Sequence, residues 1–185
     1  CLAAVMVFSV KKVKTPADKQ QFIQMPWRVY DKPSLWVPPL ISERLKFLSP
    51  EVNPFFKESE VDLFLVISES KEVVGRIALI INHAHNQKFS EKVGFFGMFE
   101  TINNREASDS LFDVATVWCR EKNLNKLVGP VNFSTNHECG LLIEGFDYPP
   151  VIGIPYNPPY YSGILDDLKF NKAKDLISLR LEFTQ

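Results

Sequence analysis

A chain of 185 residues with 45% apolar side chains and 15 phenylalanines can build one substantial core, which excludes a disordered segment and fits a single domain over 1–185. Its 21 Lys and Arg nearly balance 22 Asp and Glu, a net charge of −1, so no basic field attracts nucleic acid and none is expected as a partner. No apolar run reaches the roughly 18–20 residues of a membrane span, so no membrane partner is expected either.

Three cysteines, Cys1, Cys119 and Cys139, stand at unrelated spacings. That argues against a disulfide framework or a paired-cysteine metal site, and it fits a reducing cytoplasm. The apolar opening 1–10 has no charged leader and no cleavage site, so it reads as a strand start in a fragment rather than a signal peptide. The domain is expected to be the N-terminal part of a longer protein or half of a homodimer.

Val5 to Val13 alternates as a first strand, with Val5, Val7 and Val13 inward. Lys11-Lys12-Val13-Lys14 is its solvated end. Thr15-Pro16-Ala17-Asp18 opens a helix: Thr15 caps, Pro16 takes the first helical position and Asp18 caps back. That helix turns Phe22 and Ile23 inward and stops at Pro26. A connector rich in proline and aromatics follows, with Trp27, Tyr30 and Trp36 either packing on the domain or lining a cleft. Ile41 to Leu48 is a short amphipathic helix with Ile41, Leu45 and Leu48 on one face.

Asp62–Ser68 and Val73–Ile81 form a hairpin across the polar turn 69–72, and their near-continuous apolar runs predict burial on both faces. Val93–Phe99 is a third strand. Asn103 and Glu106 stand at capping-box spacing before a long helix whose stripe is Ala107, Leu111, Val114 or Ala115, and Trp118. Asn123 is a left-handed stop. Lys126–Val131 is a strand broken by Gly129-Pro130. Pro159–Leu168 is helical, with Tyr161, Ile164, Leu165 and Leu168 on one side, and Ala173–Phe183 is a final strand.

Between the last strand pair runs GPVNFSTNHECGLLIEGFDYPPVIGIPYNPPYY, residues 129–161. It is too punctuated for plain helix or strand and too apolar for a solvated linker, so it reads as a structured loop over a pocket. The order β–α–α–β–β–β–α–β–loop–α–β predicts an α/β (α+β) domain, a mixed sheet with helices on both faces.

This order, with Val73-Val-Gly-Arg-Ile-Ala78, Gly94-Phe-Phe-Gly-Met-Phe99 before a helix, and Tyr161-Ser-Gly-Ile-Leu-Asp-Asp-Leu-Lys-Phe170, resembles the GNAT superfamily of acyl-CoA-dependent N-acetyltransferases. Pro26-Trp27, Trp36-Val-Pro-Pro39, His85-Asn86, Gly129-Pro130 and Tyr156-Asn-Pro-Pro-Tyr160 are similar to an uncharacterised bacterial group within it. The resemblance implies a mostly antiparallel GNAT-like sheet and acyl-CoA as co-substrate. It implies that the amides of Met98, Phe99 and Glu100 pair with the pantetheine arm. It also implies that the helix start at Asn104 and Arg105 faces the pyrophosphate. The chain departs from the family's glycine-rich pyrophosphate loop, carrying Glu100-Thr-Ile-Asn-Asn-Arg-Glu-Ala-Ser108 instead. Leu165 occupies the place where the family often has an acidic tyrosine, so Tyr161 or Tyr160 is the candidate acid.

An attacking amine needs a base, and Glu138 or His137 in the loop is the candidate. Asn132, Ser134 and Asn136 are candidates to fix substrate polar groups, and Tyr156 and Asn157 to wall the pocket. The plainer role for Ser134 or Thr135 is to cap a short helix reaching Ile143. His83 and His85 on one face of a strand, with His137, would make a metal set only with acidic or thiol company, so no metal is expected. Cys139 reads as a small buried thiol. Together these readings predict acyl transfer from acetyl-CoA or another acyl-CoA to a small-molecule amine. The alternative is a non-catalytic GNAT-like binding or regulatory module.

Overall fold

The computed structural model describes residues 7–30, 34–179 and 181. A five-stranded sheet runs β1 (Ser9–Lys12), β2 (Ser59–Ile67), β3 (Val73–Asn82), β4 (Val93–Thr101), β5 (Lys126–Val128) in spatial order. The first four strands pair antiparallel and β4 pairs with β5 in parallel. The long helix between β4 and β5 makes that parallel crossover possible, since parallel strands need a connection longer than a turn.

The central strands β2 and β3 are buried on both faces, as their unbroken apolar runs require. On one face, Phe64, Val66, Ile77, Leu79, Phe96 and Phe99 pack with Ala107, Leu111, Ala115 and Trp118 of α4 (Arg105–Glu121) and Tyr161 of α5 (Tyr160–Asp167). On the other, Leu63, Leu65, Ala78, Ile80 and Met98 pack with Phe22 and Ile23 of α1 (Pro16–Gln24), with Leu48 and with Phe133. Leu48 follows α2 (Ile41–Phe47).

Local signals set several ends. Thr15 and Asp18 form the reciprocal capping box of α1, and Asn123 closes α4 in the left-handed region at φ 56°. Other ends differ from the sequence reading. The cap of α4 is Asn104, whose Oδ1 accepts from the Ala107 amide at 2.9 Å, not Asn103. The first α-helix does end just ahead of Pro26, at Gln24, but the chain runs straight on into a 3-10 turn, Met25–Arg28. Val7 and Leu45 are exposed, because β1 is an edge strand and α2 rests on the domain through Leu48. Val5 lies outside the described residues.

His83 and His85 are not on a strand. Asn82 caps α3 (His83–Phe89) by accepting from the His85 amide at 2.9 Å, and the two rings turn outward to Glu60 and Glu91. Residues 134–159 form turns and extended chain without a helix, so Ser134 caps only a turn, taking the Asn136 amide at 3.3 Å. Residues 171–179 are not a strand either, since a strand needs a partner ladder and none among the described residues pairs with them; the remainder to Phe183 is outside the described residues apart from Leu181. No helix among the described residues is long and apolar enough to cross a membrane.

Candidate active site

β4 carries a bulge at its middle. Arg76 pairs with Glu100 and Ala78 with Gly97, so three steps on β4 match two on β3, and Met98 takes φ 47°. The bulge flips the parity of everything after it. Phe96 and Phe99 both face the α4 core, while Met98 faces the α1 core. Glu100 is thereby delivered to the face of Arg76 instead of being driven into the α4 core.

Around Glu100 four elements converge. Its carboxylate and the Arg76 guanidinium stand 3.7 Å apart, each side chain 12% exposed. Tyr161 of α5 donates to Oε2 at 2.7 Å, and Tyr30, after α1, reaches the same oxygen at 3.1 Å. Arg76 donates to the Phe22 carbonyl at 2.8 Å and lies over the Phe22 ring, while its buried Nε has no partner among the described residues. Burial pushes the Glu100 carboxyl above the usual carboxylate range, and Arg76 and the two phenols pull it only part of the way back. Burial, then the nearby Glu100 charge, pushes the phenols of Tyr30, Tyr160 and Tyr161 upward, so they remain O–H donors.

This cluster forms one wall of a pocket of about 370 Å³. The opposite wall comes from the chain beyond β5. Gly97 and Gly129 let that chain approach closely: a Cβ on Gly97 would stand 2.1 Å from the Val131 oxygen, and one on Gly129 2.4 Å from the Phe96 oxygen. Val131 donates to the Phe96 carbonyl at 2.7 Å, and the next place in the ladder is taken by a side chain, Asn132 Oδ1 accepting the Met98 amide at 2.7 Å. Asn132 Nδ2 donates to Glu138 at 2.7 Å, and Glu138 faces Arg44 at 3.7 Å. Towards solvent the pocket opens between residues 36–39 and 150–155.

No family model matches the chain. It is 37% identical over 177 residues to the bacterial ceramide synthase of Caulobacter vibrioides, covering 95% of this chain and 46% of that protein. It is 32% identical over 167 residues to protein YghO of Escherichia coli, covering 90% of this chain and 42% of that one. The chain thus spans about half the length of the curated relatives it matches. Among solved structures, ribosomal-protein-alanine N-acetyltransferase from Brucella melitensis superposes with TM-score 0.53 at 11% identity, over 96% of this chain and 100% of that one.

The fold is that of the GNAT acetyltransferases. On this GNAT sheet, the pocket gathers Tyr30, Trp36, Met98, Phe99, Glu100, Asn132, Glu138, Tyr156, Asn157 and Tyr161 from the residues singled out in the sequence. The others lie elsewhere. Asn104 is spent on capping α4, and Arg105 is exposed beside Asp109 and Asp167. Tyr160 donates to the Thr101 carbonyl at 2.8 Å. Ser134 bonds the exposed His137 at 2.9 Å, and His137 packs edge-on against Phe47. Asn136 is exposed. Asn157 is buried and uses its amide on Leu142 and Pro158, so it fastens its own loop.

Sequence reasoning overlooked Arg76, Arg44 and the side chain of Glu100. A signal existed for two of them. Arg76 is the one charge within the apolar run 73–81, and a charge in a strand buried on both faces needs a partner. Glu100 closes the next apolar strand.

Proposed function

We propose that this chain carries an acyl-CoA-dependent N-acyltransferase centre with Glu100 as general base. The observation that carries the reading is a carboxylate with a raised pKa, held by two phenols and a buried guanidinium, in the pocket wall of a GNAT fold. An acceptor ammonium gives one proton to Glu100, and its nitrogen attacks the thioester carbonyl. Collapse of the tetrahedral intermediate forms the amide, breaks the C–S bond and releases the thiolate, which takes the second nitrogen-borne proton. A base suits this task when its pKa lies near the working pH, the direction in which burial moves Glu100. Tyr161 and Tyr30 act as positioning residues that keep the carboxylate aimed.

The acceptor is proposed to be a long-chain amine. Two observations support it. One relative is named a ceramide synthase, and a ceramide is the amide of a long-chain amino alcohol. The pocket mouth also exposes Val37 (61%), Val151 (65%) and Ile152 (105%) around a polar floor, which suits an amphiphile whose amine goes in first. An acyl-CoA donor, with Cys119 and Cys139 as free thiols, suits a cytoplasmic location. The non-catalytic reading keeps one specific support, the occupation of the Met98 amide by Asn132.

The test is calorimetric titration with acetyl-CoA and decanoyl-CoA, followed by amide formation assayed with a long-chain amine. Binding and turnover that fall in Glu100→Gln support the reading. Absence of binding by either thioester, both in the wild-type chain and in Asn132→Ala, which lacks the side chain that occupies the Met98 amide, removes it.

A further inference from the structure

The wall facing Glu100 ends in an arrangement that no catalytic step above uses. β4 and the chain after β5 run side by side up to the bond from the Val131 amide to the Phe96 carbonyl. One step further, a main-chain carbonyl would be due opposite the Met98 amide. The chain instead turns back, the Phe133 amide bonding the Val131 carbonyl at 2.9 Å, and the Asn132 carboxamide fills that place at 2.7 Å. The bulge is what frees this amide, since Met98 lies between the paired positions Gly97 and Glu100. Met98, Asn132, Glu138 and Arg44 all line the pocket. The amide is therefore reachable by a ligand in the pocket only if Asn132 gives way.

We propose that Asn132 is a displaceable latch on the donor site. Its side-chain carbonyl holds the Met98 amide in place of a carbonyl oxygen of the acyl donor, and Glu138, backed by Arg44, holds the latch. The proposal rests on the acyltransferase reading above. A carboxamide is a fitting placeholder, because it offers the same acceptor oxygen as an amide or thioester carbonyl. Its exchange for ligand swaps one hydrogen bond for another while releasing Asn132 Nδ2 from Glu138. Donor affinity is then reduced by the fraction of molecules in which the latch is closed, and removing the latch raises it.

The experiment measures the Kd of acetyl-CoA and decanoyl-CoA by calorimetry for the wild-type chain, Asn132→Ala and Glu138→Ala. Loss of a single competing hydrogen bond predicts binding about two- to tenfold tighter in Asn132→Ala. Cooperative thermal unfolding establishes that the variant is folded. If it is not, Glu138→Ala decides, since it loosens the latch without touching Met98, and a smaller gain in the same direction is expected. A wild-type chain that binds the thioesters while the deciding variant binds them no tighter overturns the latch and leaves the transferase reading standing. A silent wild-type chain with a binding variant supports the latch. Silence in every form overturns both.

Discussion

The hydroxyl of Tyr161 lies 2.7 Å from Glu100 Oε2 and at the same time accepts the Thr101 amide at 2.8 Å. One phenol thus joins α5 to the last residues of β4 and fixes the direction of the carboxylate that Arg76 approaches. The ring itself is 1% exposed, so its hydroxyl is set by packing rather than by solvent.

Tyr161→Phe therefore has two separable effects. The Thr101 amide is left buried without its partner, which costs about 1–3 kcal/mol in thermal unfolding. The Glu100 carboxylate loses a donor that favours its charged form, so its pKa rises further and the acidic limb of kcat/KM against pH moves upward. A purely structural tyrosine would lower stability and leave that limb in place.

Glu100→Gln keeps an acceptor for the phenols and removes the base. The kcat/KM for amide formation is expected to fall about a hundred- to ten-thousandfold, with the acidic limb abolished. Stability carries its own signature. The folded pKa of Glu100 is raised, so the folded state binds its proton more readily than the unfolded chain does. This contribution is complete below the ordinary carboxylate pKa and is lost as pH rises through the raised value. Denaturant titrations from the acidic to the neutral side should show that decline in the wild-type chain and a flatter dependence in Glu100→Gln. The same slope in both would take Glu100 out of the account.

Gly97→Ala tests the close approach that shapes the pocket. A Cβ at 2.1 Å from the Val131 oxygen cannot be relieved by a flexible side chain, because the obstacle is main chain. The two chains must part, and the Met98–Asn132 bond beside them is lost. A destabilisation of about 1–3 kcal/mol is expected from overpacking alone, read as a lower denaturation midpoint. A variant of wild-type stability would show that residues 129–131 can move away from β4 at no cost.

What the sequence revealed and what it hid divide along one physical line. The box of Thr15 and Asp18, the left-handed Asn123 and the stripe of α4 were legible because each depends on residues a few positions apart. Tyr161 was legible as a member of a motif, but its partner stands 61 positions away. Glu100 was counted among the residues of a cofactor loop, where a carboxylate is a hindrance. Its actual face is set by the bulge at Met98, and a period-two count cannot show that a non-glycine residue takes φ 47°. The final strand failed for a related reason: Leu176, Ile177 and Leu179 have the composition of a strand, yet remain exposed without a ladder to join.

Thr15→Ala probes how far the start of α1 matters to the site at its other end. Thr15 Oγ1 accepts the Asp18 amide at 3.1 Å, and Asp18 returns to the Thr15 amide at 3.2 Å while pairing with Lys11 at 2.6 Å. The Lys11 bond, then the Lys14 amide, hold the Asp18 carboxyl well below the usual range, so what Asp18 contributes is present above that range and lost as pH falls through its lowered pKa. Removing the cap should cost about 1 kcal/mol, a fall in Tm of about 2–4 °C. α1 also carries Phe22, whose carbonyl and ring hold Arg76, but Phe22 and Ile23 are buried to 0% and 2% exposure and keep the helix docked. Well below the melting transition, kcat should therefore stay within about twofold of the wild-type value, since surface changes away from such contacts act weakly. A large loss of kcat in a folded Thr15→Ala chain would mean that the Arg76 anchor depends on the first turn of α1 and not on the packing of Phe22.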